Sequence, residues 1–132
     1  MSATLALIEK LRQHPELAYS ETPGRVHIEP PSAQGFAIEL LSDRNHCTVF
    51  LGSAGFHESF DKTEEALNFI AWCYSGNARV REVWRGNRPQ KAILEAHENG
   101  EWRPVSETGF FFVPFWRERR ELVLENPSLL KN

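Results

Sequence analysis

The chain has 132 residues, is 41% hydrophobic and 25% charged, and carries a net charge of −3. That size suits one domain with a real core, and the balance excludes both a disordered chain and one steered globally to nucleic acid or anionic lipid. No apolar run approaches the ~20 residues of a helical membrane span.

The first segment, residues 4–14, reads as an amphipathic helix. Thr4, Leu7, Ile8 and Leu11 recur at three- and four-residue steps, and Pro15 stops the run. Its charges alternate with leucine too early for an export signal, so a cytoplasmic protein is expected. "YSETPG" (19–24) reads as a loop. Three strands follow: "RVHIE" (25–29), "GFAIELL" (35–41) and "HCTVFL" (46–51), each alternating apolar and polar residues. Their connections have hairpin length and turn composition, which favours antiparallel pairing.

"GSAGFHESF" (52–60) reads as a glycine-rich loop between a strand and a helix. It lacks the lysine of a P-loop and the glycine spacing of a dinucleotide fingerprint. "DKTEEALNFIAWCYSGN" (61–77) reads as a helix capped by Asp61 with Glu64 three residues on, and closed at Gly76. Ala66, Ile70, Cys73 and Tyr74 share its buried face with Leu67. Trp72 falls on the opposite, polar side and Phe69 bridges the two, so something besides the sheet is expected to cover this helix.

Strands return in "ARVREVWR" (78–85) and "QKAILEAH" (90–97). The second passes through Asn99-Gly100, the strongest hairpin signal in the chain, into "EWRPV" (101–105). A further strand is expected over Phe110–Val113. Pro114 then suits the start of a helix over 115–125, with Phe115, Trp116, Arg119, Leu122 and Val123 on one face, although "ELVLE" (121–125) alone could also be a strand. Most of the aromatic cluster from Phe110 to Trp116 is accordingly assigned to the core, with one side free to dock. Residues 127–132, after Pro127, are expected to fray.

The expected architecture is a single α+β domain over residues 1–132. It has a largely antiparallel sheet of about six or seven strands, order α-βββ-α-βββ(β)-α, with helices packed on one face. That element order is similar to the order in type III secretion chaperones, which are small acidic dimers. The resemblance rests on order alone; it implies a dimeric partner-binding protein and transfers no residues.

Chemistry-bearing residues are sparse. Cys47 and Cys73 are too few for a disulfide framework and are expected to be reduced and buried. The five histidines, His14, His27, His46, His57 and His97, show no metal-ligand spacing, so no metal or cofactor is expected. The acids Asp61, Glu64 and Glu65 at the start of the second helix argue against a phosphate there. Positive charge concentrates in 79–91, where Arg79, Arg81 and Arg85 share strand parity beside Trp84 and only Glu82 offsets them. They could grip phosphates, or pair with carboxylates of the next strand such as Glu95. Nucleic-acid binding is not expected without a basic balance or a recognisable module.

The expected function is a non-enzymatic protein-interaction or accessory module, self-associating as a homodimer. Its surface would comprise Trp72, Phe69, Phe111, Arg79, Arg81 and Arg85. The competing expectation is a small-molecule or anion-binding protein, catalytic or not. Its pocket would lie between sheet and central helix, with His27, Glu39, Glu95 and His97 as polar lining.

Overall fold

The computed structural model describes residues 2–44, 46–110 and 116–129. Helix α1 (Ala3–Leu11) opens with Ser2, whose hydroxyl accepts the Leu5 N–H at 3.3 Å, a side-chain cap for an otherwise unpaired donor. Five strands follow as an uninterrupted antiparallel meander: β1 (Tyr19–Thr22), β2 (Arg25–Ile28), β3 (Ile38–Asp43), β4 (His46–Leu51) and β5 (Phe56–Phe60). Helix α2 (Thr63–Cys73) comes next. A second antiparallel sheet then forms from β6 (Ala78–Arg85), β7 (Arg88–Glu98), β8 (Glu101–Gly109) and β9 (Arg119–Glu125), in the order β8-β7-β6-β9.

The chain is thus one α+β domain with two antiparallel sheets, of five and four strands, and two helices among the described residues. The expected single sheet and the expected element order are both corrected. The order on which the chaperone resemblance rests is not the order the chain adopts. Two strands escaped the sequence reading for local reasons. β1 is a four-residue edge strand with only Tyr19 half-buried, so it has no alternation to detect. β5 follows a turn with positive φ at Gly52 and Gly55, and its glycines obscure the alternation of Phe56, Glu58 and Phe60.

The largest correction is at the C-terminus. Arg119–Glu125 is not a helix but pairs antiparallel with β6 from Arg79↔Glu125 to Arg85↔Arg119. The vacant edge of β6 supplies backbone partners, and that long-range gain overrides the local three-four spacing of Trp116, Arg119, Leu122 and Val123. The expected strand at Phe110–Val113 and the helix residue Phe115 lie outside the described residues, except Phe110. Phe110 and Trp116, the described ends of the aromatic cluster, are 41% and 73% exposed rather than core.

Both helices cover one face of the five-stranded sheet, α1 over β2 and β3, α2 over β4 and β5. Val26, Ile28, Ile38, Leu40, Val49 and Leu51 point inward to meet Leu7, Ile8 and Leu11 of α1 and Ala66, Ile70 and Cys73 of α2. The second sheet joins this core through Val80, Ala92 and Leu94. Asp61 does not cap α2. The N-cap is Lys62, with no side-chain cap bond, although Glu64 and Glu65 still sit favourably in the first turn. Gly76 does close the segment at φ +84, and Asn99 and Gly100, at φ 52 and 80, make the anticipated tight hairpin between β7 and β8.

Two buried polar side chains tie the parts together. Glu82 of β6 is fully buried, and its carboxylate accepts the backbone N–H groups of Ser53 (2.8 Å) and Ala54 (3.0 Å), joining the second sheet to the β4–β5 turn. Asn126, 3% exposed, accepts the Phe36 N–H at 2.8 Å, so the chain after β9 straps the loop before β3. That strap continues to Leu129, whose N–H donates to the Tyr74 carbonyl at 2.8 Å.

Candidate functional site

The arginines Arg79 and Arg81 project from the outer face of the four-stranded sheet and meet Glu95 on β7. Arg79 Nε donates to Glu95 Oε1 at 2.7 Å, and Arg81 Nη2 lies 3.4 Å from Glu95 Oε2. Arg81 also donates to Glu121 on β9 at 3.1 Å, and Arg79 lies 4.0 Å from Glu125. Arg85 is held by Gln90 at 3.1 Å. Arg79 and Arg81 are therefore neutralised within the sheet, while Arg85 is held by uncharged acceptors, so the three do not form one row of free cations for phosphates.

His97 and Trp102 complete this cluster. The rings meet tilted at 49° with centroids 4.9 Å apart, and the Arg79 guanidinium lies 4.3 Å over the indole. Trp102→Ala is expected to lower stability by about 1 kcal/mol through the lost cation–π and ring contacts. Urea unfolding measures it, and an unchanged midpoint would mean these contacts are energetically idle.

His27 and Glu39 form a separate pair on the other sheet. His27 Nδ1 lies 3.1 Å from Glu39 Oε1, Glu39 Oε2 is 3.5 Å from Arg25 Nε, and His27 Nε2 is 3.6 Å from Glu29. They border a shallow cleft of about 250 Å³ with Phe50, Ser53 and Gly55. It opens on the face of the five-stranded sheet away from the helices, where His27, Glu39, Phe50 and His57 stand in register across β2 to β5. So His27 and Glu39 come together, and Glu95 and His97 share another strand face, but the four do not converge. His27 thus hydrogen-bonds Glu39 through Nδ1, while Nε2 faces Glu29 beyond hydrogen-bond reach.

The space between α2 and the sheet, where a pocket was expected, is filled by Val49, Leu51, Phe56, Ala66 and Ile70, none more than 4% exposed. Phe69 and Trp72 are half-buried. Phe69 packs between Phe60 (5.1 Å between centroids) and Trp72 (6.0 Å), so the indole extends an aromatic ladder from β5 across α2. Phe111 lies outside the described residues.

Both cysteines are buried as thiols. Burial pushes Cys73 well above the ordinary thiol range, and it also raises Cys47 against hydrogen bonds with Thr63 and Ser42. A thiol held protonated is a poor nucleophile. The glycine-rich turn has its own answer to the phosphate question. The Ser53 and Ala54 N–H groups already hold the Glu82 carboxylate, an internal anion.

Two features went unread in the sequence. Glu82 sits in phase with Ala78 and Val80, the apolar side of β6, and that phase marks it as buried. The other is an apolar groove of about 190 Å³ between α1 and α2, lined by Leu7, Leu11, Leu67, Ile70, Tyr74 and Leu129. Leu129 reaches it only through the strap after β9, which no local pattern announces. Comparison with family models, curated proteins and solved structures finds no match for this chain.

Proposed function

We propose that the protein is a non-enzymatic interaction module that self-associates through the outer part of its four-stranded sheet. One observation carries this reading. Of the six large apolar side chains that are exposed among the described residues, five lie between 105 and 123: Val105, Phe110, Trp116, Leu122 and Val123. They stand on β8, on β9 and at the two ends of the connection between them, where no helix covers the sheet.

β8 and β9 are the two edges of that sheet, and exposed apolar side chains along an unpaired strand edge are a usual mark of a docking surface. The partner most economically supplied is a second copy, by an isologous two-fold contact. The edge strands favour β9 over β8 for this contact. β8 carries Pro104 and a register shift opposite Leu94/Glu95, devices that blunt an edge. β9 carries Leu122 and Val123 at 38% and 46% exposure, on its two opposite faces, with Val123 beside the Arg81 face that carboxylates neutralise from within. Two buried, free thiols suit a reducing, cytoplasmic setting.

The test is the solution mass of wild type and of a Leu122→Lys/Val123→Lys double variant, by sedimentation velocity across a concentration series. A dimer that becomes a monomer in the variant, with unchanged circular dichroism, is the expected result. A wild type that stays monomeric up to about 100 μM, the range of weak association at about −5.5 kcal/mol, would overturn the reading. A dimer indifferent to both lysines would overturn it as well.

A further inference from the structure

We propose that the arginines gathered around the Gly86–Asn87 turn bind an acidic peptide segment of a partner protein. Arg85 ends β6 and Arg88 begins β7, facing each other across that turn. Arg85 also stands directly opposite Arg119 of β9. Arg88, Arg85 and Arg119 therefore lie abreast on three neighbouring strands, about 5 Å apart at their Cβ atoms. Two more arginines close on the same turn. The Arg117 side chain lies against Gly86, where a Cβ would stand 2.7 Å from its Cδ. Arg120 Nε donates to the Gly86 carbonyl at 3.3 Å.

Like charges directly opposite one another on adjacent strands destabilise a sheet, so such a row calls for a counter-charge. The domain supplies little. Arg119 has Glu121 at 3.0 Å, but Glu121 is shared with Arg81. Arg85 reaches the Gln90 side-chain carbonyl at 3.1 Å and the Arg117 backbone carbonyl at 3.5 Å, both uncharged. Arg85, Arg88, Arg117 and Arg120 form no ion pair among the described residues, and the last three are exposed. The same sheet pairs Arg79 and Arg81 with carboxylates at 2.7 and 3.1 Å. The unpaired four are thus a local feature, not a habit of the sheet.

Charge complementarity assigns an anion to this surface, and its surroundings select a peptide over a nucleic acid. The row spans three strands, roughly 10 Å, the reach of two or three carboxylates on an extended segment. Guanidinium forks meet carboxylates bidentately. The chain as a whole carries a net charge of −3 and repels a long polyanion. Trp84, the aromatic at the turn, has Arg120 over its ring at 5.4 Å and its indole N–H bound to Glu82, which leaves little platform for a base. Val123, 46% exposed two strand positions beyond Glu121, offers a contact for an apolar residue between the acids. The turn needs no second copy of the chain to complete it, so this site stands apart from the self-association reading.

The test uses fluorescein-labelled hexaglutamate, followed by anisotropy as the full chain is added, with hexaglutamine and hexathymidylate as comparison probes. Hexaglutamate is expected to bind, and to weaken about tenfold between about 50 and about 300 mM NaCl as screening grows. Hexaglutamine is expected not to bind. Arg88→Gln/Arg117→Gln should weaken hexaglutamate about tenfold or more, the loss of two charge-assisted hydrogen bonds. Both side chains are exposed, so the variant should keep the circular dichroism of the wild type. Arg12→Gln/Arg44→Gln changes the net charge equally, on the α1 and β3–β4 side of the domain. It should leave the affinity within about twofold, because distant surface charges are screened.

Absence of hexaglutamate binding overturns the proposal. Equal losses in the two double variants overturn it too, since net charge and not the turn would then govern. Hexathymidylate binding more tightly than hexaglutamate would make this a nucleic-acid surface, and the peptide proposal would fall. Leu122→Lys/Val123→Lys leaves all four arginines in place. A monomer that binds hexaglutamate and a dimer that does not are therefore distinguishable results, so failure here and failure of the self-association reading are separable.

Discussion

Glu82→Ala is expected to destabilise the protein by about 3 kcal/mol, because it removes the charge that holds the two sheets together through the β4–β5 turn. The Glu82 carboxylate accepts two backbone N–H groups, the Ser53 hydroxyl at 3.4 Å and the Trp84 indole N–H at 3.3 Å. Ala54 is 1% exposed, so its N–H would lose its partner where water does not reach; Ser53 is exposed and can recover a water. Glu82→Gln should cost about half as much, since its carbonyl keeps one acceptor while its amide turns a donor towards another donor.

The same contact explains why position 52 is glycine. Gly52 has φ +72, and a Cβ there would run into Glu82 Oε2. Gly52→Ala is therefore destabilising twice over, by about 1–2 kcal/mol for the left-handed backbone and by a further clash. In the Glu82→Ala background the clash is gone, so the double variant should be less destabilised than the two single losses combined, by about 1 kcal/mol or more. Urea unfolding of the four proteins closes this cycle. Strict additivity would show that Gly52 is constrained by its backbone alone and that the turn does not lean on Glu82.

These two positions also show what the sequence could and could not disclose. The phase of Glu82 on β6 was legible from alternation alone, but not its partner, because Ser53 and Ala54 lie some thirty residues away in a segment read as loop. The meander from β2 to β4 was legible because each strand has one buried face and a short, turn-rich connection. The pairing Asn99-Gly100 was legible because only a few residue pairs adopt that turn without strain. β9 was not legible. Its residues satisfy helical and strand spacing alike, and the deciding fact is the open edge of β6 across more than thirty residues of chain. The candidate sites divide the same way. The arginines and Glu95 were close because neighbouring strands at matched parity must meet. The α1–α2 groove was hidden because its third wall, Leu129, arrives by tertiary packing.

A second large effect is expected at alkaline pH, where the buried thiols and the Tyr74 phenol act together. All three groups have pKa values raised in the folded protein, chiefly by burial, and Cys73 the most decisively, since its residue is fully enclosed. In the unfolded chain a thiol ionises near its ordinary value of 9.0 and a tyrosine near 10.0. The folded state then binds more protons than the unfolded state, and stability falls as pH rises. The contribution is present in full below the unfolded-state values and is lost above them, up to the higher pH at which the folded groups ionise. Each group that is ionised only when unfolded steepens the decline by about 1.4 kcal/mol per pH unit.

For Cys73 alone the loss between pH 9 and pH 11 should be about 2–3 kcal/mol. Cys73→Ala separates this from every other titration in the protein. At pH 7 it should be less stable than wild type by about 1 kcal/mol, for the lost packing of the sulfur. Its decline above pH 9 should be shallower, so the two stability curves converge and cross near pH 10. Urea unfolding at intervals from pH 7 to 11 tests this directly. Parallel curves would mean that Cys73 ionises equally in the folded and unfolded states, and the burial assigned to it would have to be given up.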